Sequence, residues 1–197
     1  LELQHAPADR QVDNGHILGL ARARRDDRAP MGGARGFDTI VVADGDYLMK
    51  VYTASGPDAG SISLDGTVIQ YAGFEPLVDL DADANEIELN LTAGDDIVTI
   101  SSRAAGQLTV ESISNGFEDH TFAFAGVTSI TINAIGGADT ITIQSLGDFA
   151  GTLLVNGGDG NDTIGLAGLG LTNAVDITLD LGADTNSLIG PYAKSGW

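Results

Sequence analysis

Six glycines, Gly73, Gly94, Gly116, Gly137, Gly160 and Gly182, recur at separations of 21, 22, 21, 23 and 22 residues. A chain with that rhythm is built from one supersecondary unit repeated about every 22 residues. Each glycine is followed by a short apolar, β-branched or aromatic run: Leu77–Leu80, Ile97–Ile100, Thr121–Phe124, Thr140–Ile143 and Thr163–Leu166. A second set trails the same glycines by 14 to 17 residues: Ile87–Leu89, Leu108–Val110, Ile130–Ile132, Leu153–Val155 and Ile177–Leu179. Apolar residues alternate with polar ones in these runs, the period-two pattern of half-buried strands. Two strands of about 4–6 residues plus bends, at roughly 3.3 Å per residue, use up a unit of this length. The pattern predicts an all-β fold, a parallel β-solenoid of about five coils whose inward Ile, Val and Leu ladders are buried only by stacking. A β-sandwich with evenly spaced strands is the alternative.

From residue 36 to residue 72 the rhythm changes. Asp44-Gly45 and Asp65-Gly66 lie between alternating runs, and Asp-Gly suits the type I′ turn of antiparallel hairpins. Strands Ile40–Tyr52 and Ile62–Tyr71 are therefore expected as an antiparallel lead-in that covers the first edge of the coils. The repeat body is expected over 73–190. Pro191 ends it, leaving a 191–197 tail in which Trp197, the sole tryptophan, is expected to plug the core.

The formal charge of −19 comes from 28 acidic and 9 basic residues, a balance that repels nucleic-acid phosphates. Six of the basic residues, Arg10, Arg22, Arg24, Arg25, Arg28 and Arg35, fall in residues 1–35 beside five acidic ones. That segment carries +1 and the remainder −20. Residues 1–35 are expected to form an arm or cap, with a short helix within Asn14–Asp27. Arg22, Arg24, Arg25 and Arg28 are its candidate assembly residues. No apolar stretch approaches the roughly 20 residues of a membrane span. There is no cysteine, so thiol chemistry is excluded. An opening Leu1 is read as the start of a processed product or excised fragment.

The best copies of the bend read Gly-x-Asp-Thr-Ile, carrying Asp139, Asp162 and Asp184, with Asp96 in a looser copy and Asp119 as a further rung. Stacked about 4.8 Å apart, these carboxylates need turn N–H groups or cations to offset their repulsion. Gly157-Gly158-Asp159-Gly160-Asn161-Asp162-Thr163-Ile164-Gly165 fits the nonapeptide G-G-x-G-x-D-x-U-x, which binds Ca²⁺ in parallel β-rolls. Asp159, Asp162 and Asp139 are accordingly the candidate Ca²⁺ ligands, for one ion rather than an array. Catalytic signatures are sparse. His5 and His16 belong to the arm, His120 reads as a lone surface histidine, and Lys50, Arg103 and Lys194 are distant in the repeat alignment from the Asp ladder.

The run Tyr52-Thr53-Ala54-Ser55-Gly56-Pro57-Asp58-Ala59-Gly60-Ser61-Ile62, followed by Tyr71-Ala72-Gly73-Phe74-Glu75-Pro76-Leu77, resembles modules of large bacterial surface proteins with G-x-D-T-I coils and hemolysin-type (RTX) calcium nonapeptides. The resemblance spans about residues 50–190. It implies an exported, cell-surface or matrix protein with structural or adhesive work, and calcium-assisted folding outside the cell.

Together these readings lead to an expectation of a non-enzymatic extracellular structural protein that assembles with copies of itself into a fibre or surface layer. A calcium-binding adhesin or carbohydrate-binding module, contacting cell-surface or matrix components, is the first alternative. A polysaccharide-active β-helix enzyme is the second.

Overall fold

A computed structural model describes residues 12–13, 16–17, 20–24, 39–43, 45–73, 76–80, 84–166, 169 and 175–190. All regular structure among them is β, with no helix. None therefore offers a helix long and apolar enough to cross a membrane.

The strands in chain order are β1 (Val12–Asp13), β2 (His16–Ile17), β3 (Leu20–Arg24), β4 (Thr39–Ala43), β5 (Tyr47–Gly56), β6 (Ala59–Leu64), β7 (Thr67–Ala72), β8 (Leu77–Asp79) and β9 (Ala84–Asn90). They continue with β10 (Ile97–Ser101), β11 (Gln107–Ser112), β12 (His120–Ala123), β13 (Ser129–Asn133), β14 (Thr140–Ile143), β15 (Thr152–Asn156), β16 (Thr163–Gly165), β17 (Asp176–Asp180) and β18 (Ser187–Ile189). Beside the small β1–β2 pair, two mixed sheets form. One runs β18-β16-β14-β10-β11-β12-β8-β4-β3 and the other β17-β15-β13-β9-β5-β6-β7.

The glycine-following runs all lie in the nine-stranded sheet, and four of the five later runs lie in the seven-stranded one. Parallel pairing joins β9, β13, β15 and β17 in one sheet and β10, β14, β16 and β18 in the other. Inward residues such as Leu89, Ile132 and Val155, and opposite them Ile100, Ile143 and Ile164, are buried in one shared core. Alternation drives this arrangement, because one residue in two on each strand leaves water for that core.

β11 departs from the repeat. It was expected to take its place beside Ile87–Leu89, but it folds back antiparallel on β10 inside the nine-stranded sheet. The connection is tight. Gln107 N–H bonds to Ala104 C=O at 3.1 Å, Gly106 takes φ of 71°, and Arg103 pairs with Glu111 across the hairpin. One sequence unit is thus consumed within a single sheet. β9 therefore pairs with β13 at an offset of 43 residues, against 23 and 24 for the later steps.

Two further expectations are corrected. Asp65 (φ 46°) and Gly66 (φ 89°) do make the predicted hairpin turn between β6 and β7. The chain around Gly45 instead carries it from the nine-stranded sheet to the seven-stranded one, so β4 and β5 are not hairpin partners. The expected helix within Asn14–Asp27 is replaced by strands. Leu20-Ala21-Arg22-Ala23-Arg24 alternates with period two and pairs antiparallel with β4 of the same chain, so a free sheet edge overrides helix propensity. Arg22 and Arg24 lie in that edge strand. Arg25, Arg28 and Trp197 lie outside the described residues.

Candidate functional site

Two constellations carry polar chemistry. The first is the bend that takes the chain from β9, β13, β15 and β17 into the other sheet. Just before it, the amides of Asn90, Asn133 and Asn156 stack, with Asn133 Nδ2 donating to Asn90 Oδ1 at 2.8 Å and Asn156 Nδ2 to Asn133 Oδ1 at 2.7 Å. Six residues later comes the carboxylate column. Asp96 N–H donates to Asp139 Oδ1 at 2.7 Å and Asp139 N–H to Asp162 Oδ1 at 3.0 Å. Asp162 N–H donates to Asn186 Oδ1 at 2.7 Å. Backbone bonds from Thr140 to Asp96, Thr163 to Asp139 and Ser187 to Asp162, each 2.8 Å, hold the rungs in step. Bends pack this closely only because glycine lines them. A Cβ on Gly160, whose φ is +119°, would stand 1.8 Å from Gly137 O.

Asp96, Asp139 and Asp162 are each about 1% exposed. Each keeps one oxygen, Asp96 Oδ1, Asp139 Oδ2 and Asp162 Oδ2, without a hydrogen-bond partner. Burial, reinforced by repulsion from Asp96, Asp162 and Asp95, pushes the Asp139 carboxyl up to about 7 against the pull of the Asp96 N–H.

Asp184 does not extend the column. It accepts the Gly160 N–H at 3.0 Å, and Asn186 occupies the rung. Asp119 stands apart as well, accepting the Ser112 N–H at 3.0 Å in the β11–β12 connection. Of the candidate calcium ligands, Asp139 and Asp162 are consecutive rungs. Asp159 is exposed on the bend, where its backbone bridges to Gly136. Among the described residues no three His, Cys, Asp or Glu side chains converge as a metal-holding group.

The second constellation was not foreseen. Lys50 and Tyr52 on β5, Asp79 on β8 and His120 on β12 point into the core and are all but inaccessible. Lys50 Nζ lies 2.7 Å from Asp79 Oδ2, which also accepts the Tyr52 hydroxyl. The His120 ring meets Tyr52 and Phe117 edge-on, at 5.6 and 6.0 Å between centroids. Its Nε2 is 3.3 Å from Glu118 Oε1, which also accepts the Tyr71 hydroxyl. Glu118 Oε2 and His120 Nδ1 have no hydrogen-bond partner. The reading of His120 as a lone surface residue is corrected: it is fully buried, because its position in β12 faces inward with Phe122.

A half-open cleft of about 320 Å³ adjoins this cluster, lined by Pro57, Pro76, Ser112, Asn115, Phe117, Glu118 and Asp119. A signal for the buried Lys50–Asp79 pair was present in the sequence. Lys50 and Tyr52 share the alternation phase of Ala54, which placed a lysine on a buried face and called for a buried anion beside it. The Asn column was equally legible, as an asparagine directly after Leu89, Ile132 and Val155.

No protein-family model matches this chain, and no curated protein or solved structure matches it either.

Proposed function

We propose that the 22-residue units stack as a β-solenoid and that the protein is a non-enzymatic structural element which polymerises end to end outside the cell. The observation that carries this reading is the state of the terminal rung. β17 and β18 are the outermost strands of their sheets, and among the described residues nothing pairs with their outer edges. Leu188 and Ile189 there are 54% and 50% exposed. Such edges accept another strand. At the other end of the seven-stranded sheet the edge strand β7 runs parallel to β17, because β5 is parallel to β9 and both β5–β6 and β6–β7 are antiparallel. β7 of a second copy can therefore continue the parallel ladder on β17. A head-to-tail contact of this kind does not close on itself and produces a filament.

The test is light scattering with negative-stain microscopy on the purified protein, with Ca²⁺ or with chelator. The proposal expects filaments. Ile189→Lys, which sets a charge on the exposed edge, should abolish them while leaving the β-sheet circular dichroism unchanged. Loss of filaments in chelator would add a calcium role at the Asp162 bend. A monomer at all concentrations would overturn the structural reading in favour of a binding module.

A further inference from the structure

We infer that the junction between two copies is held to one register and one polarity by a polar row on the outer face of the seven-stranded sheet, with Gln70 of one copy seated on Asp180 of the next. The inference rests on the end-to-end reading above and names the residues that select the partner edge.

The row crosses the sheet from edge to edge. Asn90, Asn133 and Asn156 stand side by side on β9, β13 and β15, each one position after a buried Leu89, Ile132 or Val155, so their side chains face away from the core. The register continues the row through Thr53 on β5 and Ser61 on β6 to Gln70 on the edge strand β7, and on the other side to Asp180 on the edge strand β17. Gln70 and Asp180 are both exposed.

The side-chain bonds in the row run one way. Asn156 Nδ2 donates to Asn133 Oδ1 at 2.7 Å, Asn133 Nδ2 to Asn90 Oδ1 at 2.8 Å and Asn90 Nδ2 to Thr53 Oγ1 at 3.3 Å. Each rung thus donates toward the β7 edge and accepts from the β17 side. Asp180 is acceptor-only: its Oδ1 takes the Gly182 N–H at 3.1 Å, and its Oδ2 is offered to the strand that follows. The β7 edge of a second copy brings the matching donor, the Gln70 carboxamide, in the same sense. Stacked amides of this kind stabilise continuous β ladders.

The inward side chains agree with this register. With Gln70 on Asp180 in parallel strands, Leu179 meets Ile69 and Leu181 meets Tyr71, apolar against apolar on the core face. A slip of one residue would turn these residues outward, and a slip of two would set Asp180 beside Val68 or Ala72. Polarity follows from charge. Two β17 edges paired antiparallel about Thr178 would oppose Asp176 to Asp180 twice, and like charges directly opposite are unfavourable. The outward residues of β7, Val68, Gln70 and Ala72, carry no charge, so β17 favours β7 over a second β17.

Because the chain has no cysteine, single cysteines report the register directly. Thr178 faces Val68 across the junction, so Thr178→Cys and Val68→Cys proteins, one of them ¹⁵N-labelled, are mixed, oxidised and weighed by mass spectrometry. The mixed dimer is expected to dominate over either self-pair. Gln70→Glu, which sets a carboxylate on Asp180, should raise the concentration needed for filaments severalfold, and adding Asp180→Asn should restore the parent value. Circular dichroism checks the fold of each variant, and the cysteine pair decides alone should Gln70→Glu not fold. A parent chain that stays monomeric overturns the end-to-end reading and this inference with it. Three results overturn the register while leaving filaments of the parent intact: unchanged assembly of Gln70→Glu, no rescue by Asp180→Asn, or Thr178→Cys chains linking to one another as readily as to Val68→Cys.

Discussion

Asn186 stands in the rung after Asp96, Asp139 and Asp162, and it shows what the column asks of a side chain: one oxygen that accepts the N–H of the rung before it. A full charge is not part of that requirement. The Asp139 carboxyl is held near 7 rather than its ordinary 3.8, chiefly by burial. The native state therefore keeps a proton that the unfolded chain has released. The stability this contributes is complete below about pH 4 and is lost as the pH rises through about 7. Asp139→Asn should flatten that slope and exceed the parent at pH 8 by up to about 4 kcal/mol, at about 1.4 kcal/mol per unit. Urea unfolding at pH 5 and pH 8 measures it, and a variant weaker than the parent at pH 8 would contradict the account. Gly160 meets a steric requirement instead. Gly160→Ala meets both its positive φ and Gly137 O, and should cost on the order of 3 kcal/mol. Gly56→Ala, with nothing within 4 Å, should be close to neutral in the same unfolding assay.

At the scale of strands, the parallel ladder from β13 to β17 makes each rung equivalent to the next, with Ile135 corresponding to Gly158 and Asn133 to Asn156. Removing residues 135–157 deletes one full step of 23 residues and brings β16 beside β10 and β17 beside β13 in unchanged register. Nearest-neighbour stacking predicts that the shortened chain folds cooperatively, with less total β-signal and a lower midpoint. A chain that no longer folds would favour a closed sandwich, in which every strand is needed. The same equivalence explains what could be read from the sequence. The glycine-following runs and four of the five later runs were placed correctly because alternation fixes which face is buried. β11 was not, since the choice between crossing to the other sheet and turning back rests on the local chemistry of Arg103 to Gln107, which the period does not encode. The Asp139 and Asp162 rungs were legible as a repeat. The Glu118–His120–Tyr71 contacts were not, because they join segments 47 residues apart that share no motif.

At the scale of the whole molecule, the polar features of the described residues separate into a regular column along the bends and an irregular cluster near the meanders β5–β7 and β10–β12. The β5–β6–β7 meander closes one end of the seven-stranded sheet, whereas β10–β11–β12 lies in the middle of the nine-stranded one. The regular rungs finish at β17 and β18, whose exposed Leu188 and Ile189 resemble an interior rung awaiting its neighbour. Complementary charge supports such growth: a segment of +1 precedes a body of −20, and opposite potentials at meeting surfaces favour a defined orientation. X-ray diffraction from aligned filaments tests this account most directly. End-to-end growth by continued strand pairing predicts a reflection at about 4.8 Å along the filament axis. The same spacing perpendicular to the axis, or no filaments at all, would contradict it.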